Sequence, residues 1–102
     1  MAARSELFRP LVAQAPTNEL FRFSLGQELL KEGAAAEAIP HLQFAVAAKA
    51  DWMMPRILLG KAQRAMGALP AARAAFTAAL NLAVAQGHEE PEEELRALLA
   101  AL

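Results

Sequence analysis

Two pairs of glycines recur in this sequence at one fixed separation. Gly26 and Gly60 each follow a leucine, and Gly33 and Gly67 each stand seven residues further along. Other residues repeat with the same spacing: Arg22 and Arg56, Leu25 and Leu59, Ala38 and Ala72, Ala45 and Ala79. A fixed period of about 34 residues indicates stacked copies of one small structural unit, in which each copy buries its apolar face against the next.

Each copy of the unit has room for two helices. We predict the first helices over 18–31 and 52–65, and the second helices over 36–49 and 70–85. Thr17 and Asp51 precede the first helices, where a side-chain oxygen can accept a hydrogen bond from an unpaired amide of the first turn. Gly33 and Gly67 follow the first helices, where a residue in the left-handed conformation commonly ends a helix.

The other two glycines, Gly26 and Gly60, fall inside the first helices. Glycine in a helix interior costs about 1 kcal/mol relative to alanine. We therefore expect a packing reason for both residues, namely that the missing side chain lets the second helix of the pair approach closely.

This arrangement resembles the tetratricopeptide repeat, a unit of two helices. The matching residues are Leu25, Gly26, Gly33, Ala38 and Leu42 in the first copy, and Leu59, Gly60, Gly67, Ala72 and Phe76 in the second. The sequence departs from the family pattern at Arg22 and Arg56, where the family often has tryptophan. It departs again at Leu29 and Gln63, and at Ala50 and Val84. The resemblance implies an all-α fold, a solenoid of helix-turn-helix repeats with about six helices.

We predict one domain over residues 1–102. Its parts, in chain order, are a half-repeat helix (4–15), two repeats (18–51 and 52–85) and a capping helix (91–102). The half repeat follows from extending the register backwards, which places Phe8 and Pro16 at the family's second-helix aromatic and terminal proline. The capping helix opens at Pro91 and carries leucines on one face: Leu95, Leu98, Leu99 and Leu102.

In this family, one face of the first helices lines a concave groove that holds peptides. The resemblance places nine residues there: Leu20, Phe23, Gln27, Leu30, Lys31, Met54, Ile57, Lys61 and Arg64. It implies an apolar floor flanked by basic groups, and a partner protein that offers an acidic segment with an apolar anchor. A second interpretation stays open, because a short array can bury the same residues against its own neighbouring helices.

Two aromatic residues suggest another kind of surface. Phe44 lies off the apolar stripe of its helix, beside His41, and Trp52 stands at the junction between the repeats. Exposed aromatics mark contacts with another protein or subunit. The alternative function is therefore a structural subunit that self-associates into a homo-oligomer through Phe44, Trp52 or an exposed terminal face. The competing interpretation of Trp52 is that it fills the core between the repeats.

Charge and hydropathy exclude two classes of partner. The net charge is −1, with an excess of three basic residues over 1–88 and of four acidic residues over 89–102, so no basic stripe suits nucleic acid. The longest uncharged run, 74–87, falls short of the roughly 18 residues that span a bilayer. Glu6 and Pro10 interrupt what a secretory signal would need as an apolar run. We expect a cytoplasmic protein that binds neither nucleic acid nor membrane.

Few residues suit catalysis or metal binding. The chain has no cysteine. His41 lies one turn after Glu37, and His88 precedes Glu89 and Glu90, but a zinc site needs a further ligand from elsewhere in the fold. No nucleophile-base pair or phosphate-binding loop is recognisable. We therefore predict a non-catalytic protein without cofactor or metal, with a metal-dependent enzyme as a third hypothesis.

Overall fold

The computed structural model describes residues 3–102 and consists of six α-helices joined by short turns. The helices are α1 (Ser5–Gln14), α2 (Glu19–Lys31), α3 (Ala35–Ala48), α4 (Met53–Ala65), α5 (Leu69–Gln86) and α6 (Glu89–Ala100). No strand occurs in the described part of the chain. The all-α fold predicted from the sequence is confirmed. The first two residues of the predicted 1–102 domain lie outside the described residues.

The helices stack in chain order. The pairs α2 with α3 and α4 with α5 form two hairpins, and α3 packs against α4 so that the hairpins lie side by side. The helix α1 packs on α2, α6 packs on α5, and the first helices α2 and α4 also touch. This succession is the solenoid arrangement that the repeat period predicts.

Glycines in the left-handed conformation close three helices. Gly33 has φ 83°, Gly67 has φ 76°, and Gly87, which ends α5, has φ 70°. In each case the next amide bonds back to a carbonyl five residues earlier: Ala34 to Leu29, Ala68 to Gln63 and His88 to Ala83, all at 2.9 Å. This hydrogen bond satisfies a carbonyl that the helix end would otherwise leave unpaired. The predicted turns at Gly33 and Gly67 are confirmed.

The glycines inside α2 and α4 lie where the second helix crosses the first. A Cβ atom on Gly26 would stand 2.8 Å from Cγ of Leu42. A Cβ atom on Gly60 would stand 2.5 Å from Cδ1 and Cε1 of Phe76. Because both distances are well inside van der Waals contact, any larger residue would displace the side chain of Leu42 or Phe76 from the helix crossing. The predicted packing role of these glycines is confirmed.

The predicted helix caps are wrong by one residue. Asn18 caps α2, since its Oδ1 accepts a hydrogen bond from the amide of Phe21 at 3.0 Å. Trp52 occupies the capping position of α4, and no side chain caps that helix. Both helices begin one residue later than predicted, so Thr17 and Asp51 lie in the preceding turns and do not occupy the capping positions.

The terminal helices also differ from expectation. The helix α6 begins at Glu89, so Pro91 is its third residue, where the amide that proline lacks would have no partner within the helix. The helix α1 runs from Ser5 to Gln14 with Pro10 inside it. Hydrogen bonds hold the start of α1 to the end of α2, because the Ser5 amide and hydroxyl both donate to Glu32, at 3.0 and 2.7 Å.

The buried residues form two clusters. One lies mainly between α2 and α3 and contains Val12, Leu25, Leu29, Ala35, Ala38, Leu42, Leu59 and Ala62. The other lies between α4, α5 and α6 and contains Ile57, Ala72, Phe76, Ala79, Ala83 and Leu95. Leu98, Leu99 and Leu102 pack against the second cluster. The leucine face of α6 therefore covers α5 and closes the core at this end of the stack.

Candidate peptide-binding surface

Neighbouring helices carry the nine residues that the sequence assigns to a groove. Five lie on α2 (Leu20, Phe23, Gln27, Leu30 and Lys31) and four on α4 (Met54, Ile57, Lys61 and Arg64). Because α2 and α4 lie side by side and the two sets are one repeat period apart, equivalent residues form rows across the two helices. We call the surface formed by these residues, apart from Ile57, the α2–α4 face.

The first row of the α2–α4 face is apolar and open to solvent. Leu20 and Met54 are the second residues of their helices, and their exposed fractions are 60% and 40%. Phe23, one turn further along α2, is half-buried and packs against the core. Large exposed apolar side chains at equivalent positions of neighbouring helices are a feature of binding sites for other proteins.

Ile57 does not belong to this exposed surface. Its exposed fraction is 3%, and it packs in the same cluster as Phe76 and Leu95. The expectation that Ile57 lines an open groove is therefore corrected. Ile57 is instead buried against the neighbouring helices of the same chain, because residues of α5 and α6 pack around it.

Carboxylates already neutralise part of the basic side of the α2–α4 face. Lys61 Nζ lies 2.9 Å from Oε1 of Glu94 on α6. Lys31 Nζ lies 3.5 Å from Oε1 of the buried Glu28, and Arg4 Nε lies 3.5 Å from the same oxygen. Arg64 forms no ion pair within residues 3–102, and its Cζ lies 6.0 Å from the centre of the Phe76 ring. The positive charge available to a ligand is therefore smaller than the sequence suggests.

Trp52 packs between the two repeats. Its ring centre lies 4.7 Å from that of Phe23, and the two ring planes are inclined at 44°. The Lys49 ammonium lies 5.9 Å from the centre of the Trp52 ring. Trp52 is half-buried, so it both joins α4 to α2 and keeps part of its surface next to the exposed row.

Phe44 is covered in part by Arg22. The Arg22 Cζ lies 4.7 Å from the centre of the Phe44 ring, and Arg22 Nη1 lies 3.3 Å from Nδ1 of His41. Burial lowers the pKa of His41 below its ordinary value, and the charge of Arg22 lowers it further. Because Phe44 makes a contact within the chain, its role as an interface to another subunit stays a prediction.

Acidic residues of α6 were not assigned to a site from the sequence. The first-turn glutamates suit the positive end of any helix, and this capping role was the one assigned to them from the sequence. The ion pair between Glu94 and Lys61 shows that α6 lies beside α4 and faces it. A signal was present in the sequence, because Glu90 and Glu94 are four residues apart and therefore share one side of a helix.

Other kinds of site find no support in the described residues. Over 3–102 no three potential metal ligands come together, and no pocket is found. None of the described helices has both the length and the apolar character needed to cross a membrane.

Comparison with known proteins identifies the family. A search against models of known protein families finds no match. The chain is 36% identical to the TPR repeat-containing protein PA0015 of Pseudomonas aeruginosa, over 90% of this chain and 88% of that protein. This chain belongs to the tetratricopeptide repeat family. Tetratricopeptide repeat proteins generally bind other proteins and are generally not enzymes.

A solved structure shares the fold of this tetratricopeptide repeat protein. The solution structure of protein BPP2914 from Bordetella parapertussis superposes with a TM-score of 0.82 at 29% sequence identity. The match covers 99% of this chain and 88% of BPP2914. The helix order α1 to α6, including the single helix at each end, is therefore an arrangement that another small protein also adopts.

Proposed function

We propose that this tetratricopeptide repeat protein is a non-catalytic module that binds a peptide segment of a partner protein on the α2–α4 face. The observation that carries the proposal is the exposure of Leu20 and Met54 at equivalent positions of adjacent helices. A folded protein gains nothing from leaving both side chains in water. A partner that covers them gains the transfer free energy of the buried apolar surface, about 25 cal/mol per Å².

The apolar anchor of the partner would lie on Leu20, Phe23 and Met54, beside Trp52. Polar residues of the same face follow along the helices, with Gln27 and Lys31 on α2 and Lys61 and Arg64 on α4. Such a face offers apolar contact at one end and hydrogen-bond donors at the other, which suits an extended or helical segment. The absence of cysteine fits a cytoplasmic setting, which is part of the proposal.

Self-association through Phe44 and Trp52 has weaker support. Both rings are half-buried and pack on groups of the same chain, Arg22 and Phe23. Sedimentation velocity over a wide range of protein concentration separates the two functions. A monomer at all concentrations favours the binding module, and a dimer that Phe44→Ala disrupts favours the structural subunit.

Site-specific photo-crosslinking in the native cell tests the proposal. A photoreactive phenylalanine analogue is placed at Met54, and in a matched variant at Thr77, an exposed residue of α5. We expect a discrete crosslinked protein from position 54 that is absent from position 77. The same crosslinks from both positions, or none from position 54, would contradict the assignment of the binding surface.

A further inference from the structure

The helix α6 continues the row of first helices formed by α2 and α4. Leu25, Leu59 and Leu95 are each the seventh residue of their helix, and all three are buried. The ion pair between Glu94 and Lys61 fixes the rotation of α6, because it joins the sixth residue of α6 to the ninth residue of α4. The sixth residue of α4, Leu58, likewise packs toward the cluster around α2. The α2–α4 face therefore extends onto α6.

Acidic residues occupy the part of this face that α6 contributes. Glu90 is the second residue of α6, the position that Leu20 and Met54 hold in α2 and α4. Glu90 also precedes Glu94 by one helical turn, so the contact of Glu94 with Lys61 places Glu90 on the same side. Glu93 holds the position of Phe23 and Ile57. Both Glu90 and Glu93 are exposed.

The charges near the apolar row do not cancel. Lys61 is paired with Glu94, and Lys31 shares the carboxylate of Glu28 with Arg4. Neither Glu90 nor Glu93 forms an ion pair with any residue of 3–102. Arg64 lies ten residues after Met54 on α4, a distance of about 15 Å along the helix axis. Glu90 and Glu93 therefore place two exposed carboxylates without an ion pair at the α6 end of the exposed row, while Lys49 lies at the other side of Trp52.

We infer that the segment bound on Leu20, Phe23 and Met54 carries a lysine or arginine that pairs with Glu90 and Glu93. This inference rests on the proposed function. It replaces the acidic ligand expected from the sequence with a ligand that is basic where it lies beside α6. The ion pair of Lys61 with Glu94 puts the axes of α4 and α6 on the order of 10 Å apart, and an extended chain advances about 3.3 Å per residue. The basic residue therefore follows or precedes the apolar anchor by about three positions.

A purely structural role for the acidic residues is the alternative. Carboxylates in the first turn stabilise a helix through its dipole whichever side they face. Glu89 and Glu90 are both exposed first-turn residues, but they are successive in the chain and point about 100° apart around the helix. The substitution Glu89→Lys is therefore a matched control for Glu90→Lys, since both remove the same favourable dipole interaction and only Glu90 lies on the extended face.

The test uses a library of random twelve-residue peptides displayed on phage, selected against the full chain. We expect enriched peptides to combine apolar residues with lysine or arginine about three positions away. A synthetic peptide of the enriched sequence should bind the Glu90→Lys variant about three- to tenfold more weakly than wild type, as expected when one exposed charge pair becomes a repulsion. It should bind the Glu89→Lys variant as tightly as wild type.

The outcomes separate this inference from the proposed function. Enrichment of apolar peptides rich in aspartate or glutamate, or an equal effect of Glu89→Lys and Glu90→Lys, would overturn the inference and leave the binding surface in place. Peptides whose binding survives Leu20→Asp and Met54→Asp would overturn both, and so would the absence of any enriched peptide. Circular dichroism of each variant at the temperature of the assay confirms that it is folded.

Discussion

The side chain of Arg22 donates a hydrogen bond from Nε to the carbonyl oxygen of Pro16 at 2.7 Å. Arg56, the equivalent residue of the next repeat, makes the same contact with Ala50, at 3.3 Å from Nε and 3.1 Å from Nη2. Each carbonyl lies just past the end of the preceding second helix. The arginine that replaces the family's frequent tryptophan thus ties the start of one repeat to the end of the previous one.

Loss of this tie should lower stability. We expect Arg56→Ala to reduce the free energy of unfolding by about 1 kcal/mol, because a charged donor to a carbonyl is lost from a partly solvated site. Urea denaturation measures the change. Arg73→Ala, at an exposed position of α5, is the control and should alter stability by less than about 0.5 kcal/mol. Equal effects of the two substitutions would contradict a specific role for Arg56.

Gly60→Ala should destabilise the fold although alanine favours helices. The new Cβ would lie 2.5 Å from the Phe76 ring, and we expect a net loss of about 1–3 kcal/mol in unfolding free energy. In a Phe76→Val background the ring atoms that clash are absent, so there Gly60→Ala should be neutral or stabilising. If Gly60→Ala costs the same free energy in both backgrounds, measured by urea denaturation, the close approach is not the reason for the glycine.

Acidification should weaken the contact between α2 and α3. Burial and the charge of Arg22 lower the pKa of His41, while Glu37 raises it by a smaller amount. The unfolded chain therefore binds a proton at higher pH than the folded chain. The stability associated with neutral His41 is present above the ordinary histidine pKa of 6.5 and is lost as the pH falls below it toward the lowered value.

The comparison of His41→Gln with wild type checks this pH dependence. Thermal unfolding followed at a series of pH values between about 7.5 and about 5 should show a smaller loss of melting temperature on acidification in the variant, since glutamine takes up no proton. His88→Gln, which alters an exposed histidine, serves as the control and should follow wild type. Parallel curves for His41→Gln and wild type would rule out the role assigned to His41.

The pair Lys61 and Glu94 should contribute to the docking of α6. We expect Lys61→Glu to lower the free energy of unfolding by about 1 kcal/mol, because it replaces an attraction at 2.9 Å by a repulsion between carboxylates. The exchanged pair, Lys61→Glu with Glu94→Lys, should recover most of that loss. Hydrogen exchange of the α6 amides, read by mass spectrometry, locates the effect. An exchanged pair as unstable as the single variant would show that the two charges do not interact.

Much of the fold follows from local features of the sequence. The left-handed turns at Gly33 and Gly67 were predictable because few other residues adopt that conformation without strain. The helix caps were less predictable, since Thr17 and Asn18 both suit a cap and a shift of one residue changes which oxygen reaches the free amide. The contacts of Arg22 and Arg56 with backbone carbonyls could not be predicted, because the sequence shows only that an arginine recurs at this position of the repeat.

The candidate surface was predictable only in part. The period placed Leu20 and Met54 in one row, and both are exposed. It placed Phe23 and Ile57 in the next row. Phe23 is half-buried, whereas Ile57 is buried because residues of α5 and α6 pack around it. Side chains at equivalent positions of the repeats therefore point in equivalent directions from their helices. Their exposure to solvent depends on which other helices pack around them.

The sequence by itself determined the repeat, the helix pairs and the crossing at Gly26 and Gly60, because these depend on residues close together along the chain. Only the tertiary structure decided how α6 sits. Leu25 and Leu59 are one full period apart, whereas Leu95 follows Leu59 by two residues more than a period, since α5 is four residues longer than α3 and the turn after it is two residues shorter. This shift breaks the period before α6. The contact of Glu94 with Lys61 is therefore set by how the leucines of α6 pack on α5, which no spacing in the sequence expresses.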